Sequence, residues 1–146
     1  MKRFDFKLAS VLRYRAYRTQ VAEMKLAEAK QEQLAAIRQI DGFREEKRSA
    51  SRELKRQEVN GMSGERLRMY RSYLDGLDDR EAGEERRLRE ITELVEERRH
   101  AAESERIGKE TLEHLQERQR KAHFQVLERA EQKAIDEVLT LRFQVG

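Results

Sequence analysis

Cysteine, proline and tryptophan are absent from all 146 residues, and aromatic side chains make up only 6%. Without cysteine there is neither a disulfide framework nor a thiolate-bound metal. Without proline nothing interrupts the runs of Glu, Lys, Arg, Gln, Ala and Leu, all strong helix formers. Apolar residues reach only 37% against 42% charged, with a mean hydropathy of −1.01. A compact globule of this length needs more, because burial must offset the chain entropy lost on folding. Paired helices need less, since they bury only a narrow seam. No apolar run approaches the ~20 residues of a membrane span. The N-terminus carries alternating charges where a signal peptide would have an apolar core. These absences predict a soluble, cytoplasmic, helical chain.

Periodicity separates that reading from disorder. Steps of four and three from Leu8 reach Leu12, Arg15, Thr19, Ala22, Leu26, Ala29, Gln33, Ala36, Ile40, Phe43, Lys47, Ala50 and Leu54. Ten of these fourteen positions are apolar in a segment otherwise dominated by charge. A disordered polyampholyte has no reason to hold such a register; a coiled coil does. The pattern resumes at Leu67, Tyr70, Leu74 and Leu77, passes through Glu81 and Glu84, and continues at Leu88, Ile91 and Val95. Near Ile107 and Gly108 the phase slips, which predicts a stutter or local unwinding there.

Between the two patterns lies "VNGMSGERL", residues 59–67. Asn60 and Gly61 suit a helix C-terminus because both tolerate the left-handed conformation. Ser63 is an N-cap candidate, and Glu65 places negative charge in the first turn of the next helix. A stop and a start so close together make the two helices antiparallel neighbours. The expected fold is therefore all-α: a long two-helix antiparallel coiled-coil hairpin with a longer C-terminal helix. It forms a single domain over 1–146, with helix 1 about 4–58, a tip about 59–64 and helix 2 about 65–143.

The arms are unequal. Folding about a tip near Met62 sets Phe4 opposite Arg120, so the last ~25 residues, some 35 Å of helix, have no partner within the chain. That overhang still contains Phe124, Val126, Leu127, Ile135, Val138, Leu139, Leu141 and Phe143. Uncovered apolar residues on a helix mark a binding surface.

Chemistry is sparse. His100, His114 and His123 are 14 and 9 residues apart, so no two share a helical face at metal-ligand spacing. No glycine-rich phosphate loop is present, and no nucleophile stands beside a histidine. The carboxylates alternate with Lys and Arg, as in "EERRLRE", and such runs form ion pairs along solvated helices. Two helices also lack the concave pocket that catalysis uses. We therefore expect no enzyme, no cofactor and no metal. Net charge is +3 from 32 basic and 29 acidic side chains, interspersed instead of gathered into the patch a nucleic-acid binder carries.

Both ends of the chain show a specific pattern. The opening "FDFKLASVLRYR" reads Phe-x-Phe-x-Leu-x-x-Val-Leu-x-x-Arg at Phe4, Phe6, Leu8, Val11, Leu12 and Arg15. The close "EQKAIDEVLTLRF" offers Glu131, Gln132, Lys133, Asp136, Glu137, Arg142 and Phe143, and "YRSYLDGLDD" follows the hairpin tip. Together these segments resemble the FliJ family of flagellar export proteins, in the family's order and over its length.

The resemblance implies a cytoplasmic component of the flagellar type III export apparatus, peripheral at the inner membrane. It would be shaped like the central stalk of a rotary ATPase, standing in the hexameric ring of the export ATPase FliI and coupling it to the gate protein FlhA. The ATPase regulator FliH and export chaperones are further partners the family implies. The family's gate-contacting patch near the tip falls on Gln39, Phe43, Tyr73 and Leu77, although Phe43 and Leu77 also lie on the heptad seams. For the ATPase ring the termini offer Phe4, Phe6, Leu8, Arg15, Phe124, Leu127, Val138, Arg142 and Phe143. Alternatives are the stalk of a virulence type III secretion system, a generic structural or adaptor coiled coil that dimerises, and a nucleic-acid-binding helical arm. Co-purification with a hexameric ATPase separates the stalk readings from the other two.

Overall fold

The structure, a computed structural model, describes residues 2–145. It contains two helices, α1 (Ala9–Val59) and α2 (Gly64–Val145), of 51 and 82 residues. They pack antiparallel as a coiled-coil hairpin. At the tip, Gly61 has φ +89°, and its N–H donates to the Glu58 carbonyl at 3.3 Å, which closes the end of α1. A Cβ is disfavoured in that backbone region, which is why glycine ends the helix here. Ser63 then caps α2: its Oγ accepts from the Arg66 N–H at 3.2 Å, and its carbonyl accepts from the Leu67 N–H at 3.1 Å. Glu65 lies in the first turn, where the exposed N–H groups favour negative charge.

The chain divides into two compact units. In the tip-side unit, Ala22–Ala102, the core is Ala29 and Ala36 of α1 against Ile91 and Val95 of α2, with Leu26, Leu88 and Leu94 packed around them. Two alanines on one side let the backbones approach, so large aliphatic residues need come from only one helix in each layer. Ile40 and Leu77 extend the buried seam, and Leu77 is only 1% exposed. Three polar interruptions of the seam are paired across it. Gln33 Nε2 donates to Thr92 Oγ1 at 3.2 Å, Arg44 Nε to Glu81 Oε1 at 2.8 Å and Lys47 Nζ to Asp78 Oδ1 at 2.8 Å. Each of these three pairs is symmetric in sequence about one point between residues 62 and 63, so a single register satisfies all of them.

The second unit joins the residues up to Val21 with those from Glu103 onward. Here Thr19, 2% exposed, lies 2.8 Å from the Arg15 carbonyl and 3.1 Å from that of Glu105, which share its hydroxyl proton. Arg18 Nη2 holds Glu105 Oε1 at 2.7 Å, and Arg15 Nη1 stands 3.9 Å from Glu105 Oε2.

Two sequence expectations need correction. Helix 1 does not begin near Phe4: residues 2–6 are non-helical, a turn covers 7 and 8, and Ala9 opens the helix by donating to the Phe6 carbonyl at 3.1 Å. The reason is burial. Phe6 is only 5% exposed, and the chain leaves the helical path with that ring turned inward. Of the two outcomes expected near Gly108, a stutter or a local unwinding, the unwinding does not occur, for the helix continues through it. A Cβ at this glycine would meet Arg15 Nη1 at 3.5 Å, so the phase slip is absorbed by a polar layer built around Arg15 and Glu105.

Candidate functional site

Two surfaces stand out, one in each unit. Near the tip, Met69, Ser72, Tyr73, Gly76, Leu77 and Arg80 line a shallow groove along α2. Its spacing of three and four residues is one helical face. Met69 is 69% and Tyr73 51% exposed, so the groove offers apolar area to solvent. The Tyr73 hydroxyl reaches Glu46 Oε2 of α1 at 3.4 Å, a long bond that leaves the ring largely free. Gly76 has no heavy atom within 4 Å of where a Cβ would stand, so it leaves the groove floor open.

Of the four tip residues expected at the gate patch, Gln39 and Tyr73 are exposed, Phe43 is half-buried and Leu77 is buried in the seam. Leu77 thus supports the groove from beneath and presents almost no surface of its own. Met69 was not anticipated, because its position off the seam carries no periodic signal. Its exposure next to Tyr73 becomes visible only once the helices are paired.

Charge beside the groove is organised around Glu81, which is 9% exposed. Lys47 and Arg44 both contact its carboxylate, and Arg44 Nη2 also reaches Glu85 Oε1 at 3.2 Å. Hydrogen bonds from Lys47 and then Arg44 hold the Glu81 carboxyl below the ordinary glutamate value. The Lys47 ammonium is raised in turn by Asp78 and Glu81. Nearer the tip, Arg56 and Gln57 hold the Glu53 carboxyl down. These groups are all paired, so the cluster fixes register and offers no free acid or base.

The second surface is the end of α2. His123 and Leu127 are partly buried, and every residue from 128 to 144 is exposed. Within that stretch Ile135, Val138, Leu139, Leu141 and Phe143 are 47% to 85% exposed, and just before it Phe124 is 46% and Val126 64% exposed. Ala134, Ile135, Val138 and Leu139 line a shallow apolar groove. In water such a stripe has an unfavourable hydration cost that a partner would remove.

The residues expected at this end separate into two groups. Phe124, Val138, Arg142 and Phe143 are exposed along α2, with Leu127 half-buried at the arm's root. Phe4, Phe6, Leu8 and Arg15 lie at the chain start, and they are partly engaged within the chain. Phe6 is buried, Phe4 is half-buried with its ring 5.6 Å from that of His123, and Arg15 faces Glu105. Leu8 is 38% exposed. Sequence reasoning treated His123 only as an isolated histidine, since nothing in its spacing marks it as the landing point of the N-terminus.

Among the described residues no group of His, Cys, Asp or Glu side chains could hold a metal ion, and no helix is long and apolar enough to cross a membrane. No curated protein and no solved structure shows a significant match to the chain. Residues 4–146, by contrast, match the family described as Flagellar FliJ protein. A helical hairpin with the opening and closing patterns at Phe4–Arg15 and Glu131–Phe143 matched along nearly its whole length belongs to the FliJ family, coiled-coil proteins associated with flagellar type III protein export.

Proposed function

We propose that the chain is the central-stalk component of the flagellar export machine. Its terminal unit docks in the ring of the export ATPase (FliI) and promotes hydrolysis without supplying a catalytic group. Its tip-side groove engages the export gate (FlhA) at the cytoplasmic face of the inner membrane. The ATPase regulator (FliH) and export chaperones are further candidate partners.

The observation that carries this reading is the arm of α2: residues 128–144 are all exposed, yet five of them are large hydrophobics. A helix of this kind is stable in water as a continuation of the hairpin and gains from a sleeve that covers its apolar stripe. The flanking Glu131, Lys133, Asp136, Glu137 and Arg142 supply charges of both signs for such a sleeve to read. At the tip, Tyr73 and Met69 are the kind of exposed side chain that anchors a transient interface. Tyr73→Ala should reduce capture of the gate's soluble domain by the purified chain, leave co-purification with the ATPase unchanged, and change helicity little. Undiminished gate capture would remove this groove from the contact.

A further inference from the structure

The N-terminus is bound to the root of the arm. The His123 ring lies 5.6 Å from the Phe4 ring and 5.6 Å from that of Phe124, the latter edge-on. Its Nε2 stands 3.0 Å from the Lys2 carbonyl oxygen. A carbonyl oxygen only accepts, so the imidazole carries a proton on Nε2 and donates it there. Two residues further along, Phe6 is 5% exposed, and its carbonyl accepts the first N–H of α1. Residues 2–8 therefore cross to α2 as a non-helical segment pinned at Lys2 and Phe4, with the buried Phe6 between those contacts and the start of α1. Where this segment lands, the burial of α2 stops: Leu127, one turn beyond His123, is not exposed, and every residue from 128 to 144 is.

We propose that residues 2–8 are a strap that sets the boundary between the paired hairpin and the free arm. Closed, it covers the turn of α2 from His123 to Leu127 and fixes the arm's root. Open, it releases that turn into the exposed stripe and frees Phe4 and Phe6. Among the described residues the strap is tied to α2 by the Lys2–His123 hydrogen bond and the Phe4–His123 ring contact, with Phe6 buried beside them, so it opens locally while the hairpin stays folded. A partner confined to residues 128–144 meets a closed strap, whereas one that grips α2 inward of Leu127 must displace it. That consequence rests on the docking role proposed above; the closure itself does not.

Because the chain lacks tryptophan, Phe4→Trp in the full-length protein gives a single fluorescent reporter on the strap. Loss of one hydrogen bond and one ring contact shifts a local open-to-closed ratio by roughly tenfold. The reporter should accordingly resist acrylamide quenching, and adding either His123→Ala or Phe6→Ala should raise quenching toward that of the denatured chain. Far-UV circular dichroism should show unchanged helicity in all three proteins, which separates strap opening from unfolding. Two outcomes overturn the proposal. One is a reporter already as quenchable as in the denatured chain, which means the strap is open. The other is a reporter equally protected with and without His123, which means that His123 does not hold it.

Discussion

Glu81 occupies a position where the heptad pattern calls for an apolar side chain, yet it is nearly buried. Its carboxylate is tolerable there because Lys47 and Arg44 both reach it, and removing one member of such a cluster leaves a charge without its partner. The four polar residues on the α1 seam follow the same rule. Thr19 and Arg15 face Glu105, Gln33 meets Thr92, and Lys47 meets Asp78. Each pair resists a slip, because a shifted register would set polar groups against Ala or Leu. The pH dependence follows from the sign of the shift. A carboxyl held below its unfolded value adds stability above that value and loses it as pH falls through the lower, folded one. The thermal midpoint should therefore fall on acidification below about 4.5, the ordinary glutamate value, with Glu81 and Glu53 both contributing. Lys47, raised from 10.5, contributes below that pH and loses its share only as pH rises through the higher folded value. Near neutrality these groups add no slope. In Glu81→Gln the acid-side decline should become shallower, as read by thermal melts from pH 3 to 7. An unchanged acid slope would mean that Glu81 is not held down by its neighbours.

At the scale of elements, both helices and their turn were legible in the sequence. Periodicity alone marked Ala29, Ala36, Ile40, Ile91 and Val95 for the seam, and they are buried. Ser63 and Gly61 marked the turn because their backbone chemistry is local, and both act there as expected. The first turn of α1 was not legible. Phe4, Phe6 and Leu8 alternate, and that pattern does not distinguish a helical start from an extended strap; only the tertiary contact with His123 decides it. The tip groove was half legible for a related reason. Tyr73 lies off the heptad seam and is exposed, whereas Leu77 lies on it and is buried in the core. Two glycines test the local account. Gly61 needs its positive φ, so Gly61→Ala should cost about 1–2 kcal/mol although nothing crowds the site. Gly42 sits inside α1 with nothing within 4 Å of a Cβ, so Gly42→Ala should stabilise by about 0.5–1 kcal/mol through helix propensity. Urea denaturation of the two variants measures both. Equal signs would show that the turn does not depend on the left-handed residue.

For the molecule as a whole, the decisive feature is an asymmetry of length. α1 has 51 residues and α2 has 82, and the excess of α2 is not a polar tail: it carries Ile135, Val138, Leu139, Leu141 and Phe143, all exposed among the described residues. Membership of the FliJ family gives this asymmetry its context in flagellar export. The sequence foretold the arm because counting outward from the turn leaves those residues without partners. What the arm docks against is the central claim, and steady-state ATP hydrolysis tests it. The purified export ATPase should be assayed alone, with the full-length chain, and with a chain truncated after Leu127. Residues 128–144, which make up nearly all of the removed segment, are exposed, so melting of the remainder should be nearly unchanged. Docking of the arm in the ring requires that the full-length chain raise hydrolysis severalfold and that the truncated chain leave it at the unstimulated rate. Equal stimulation by both chains would contradict it.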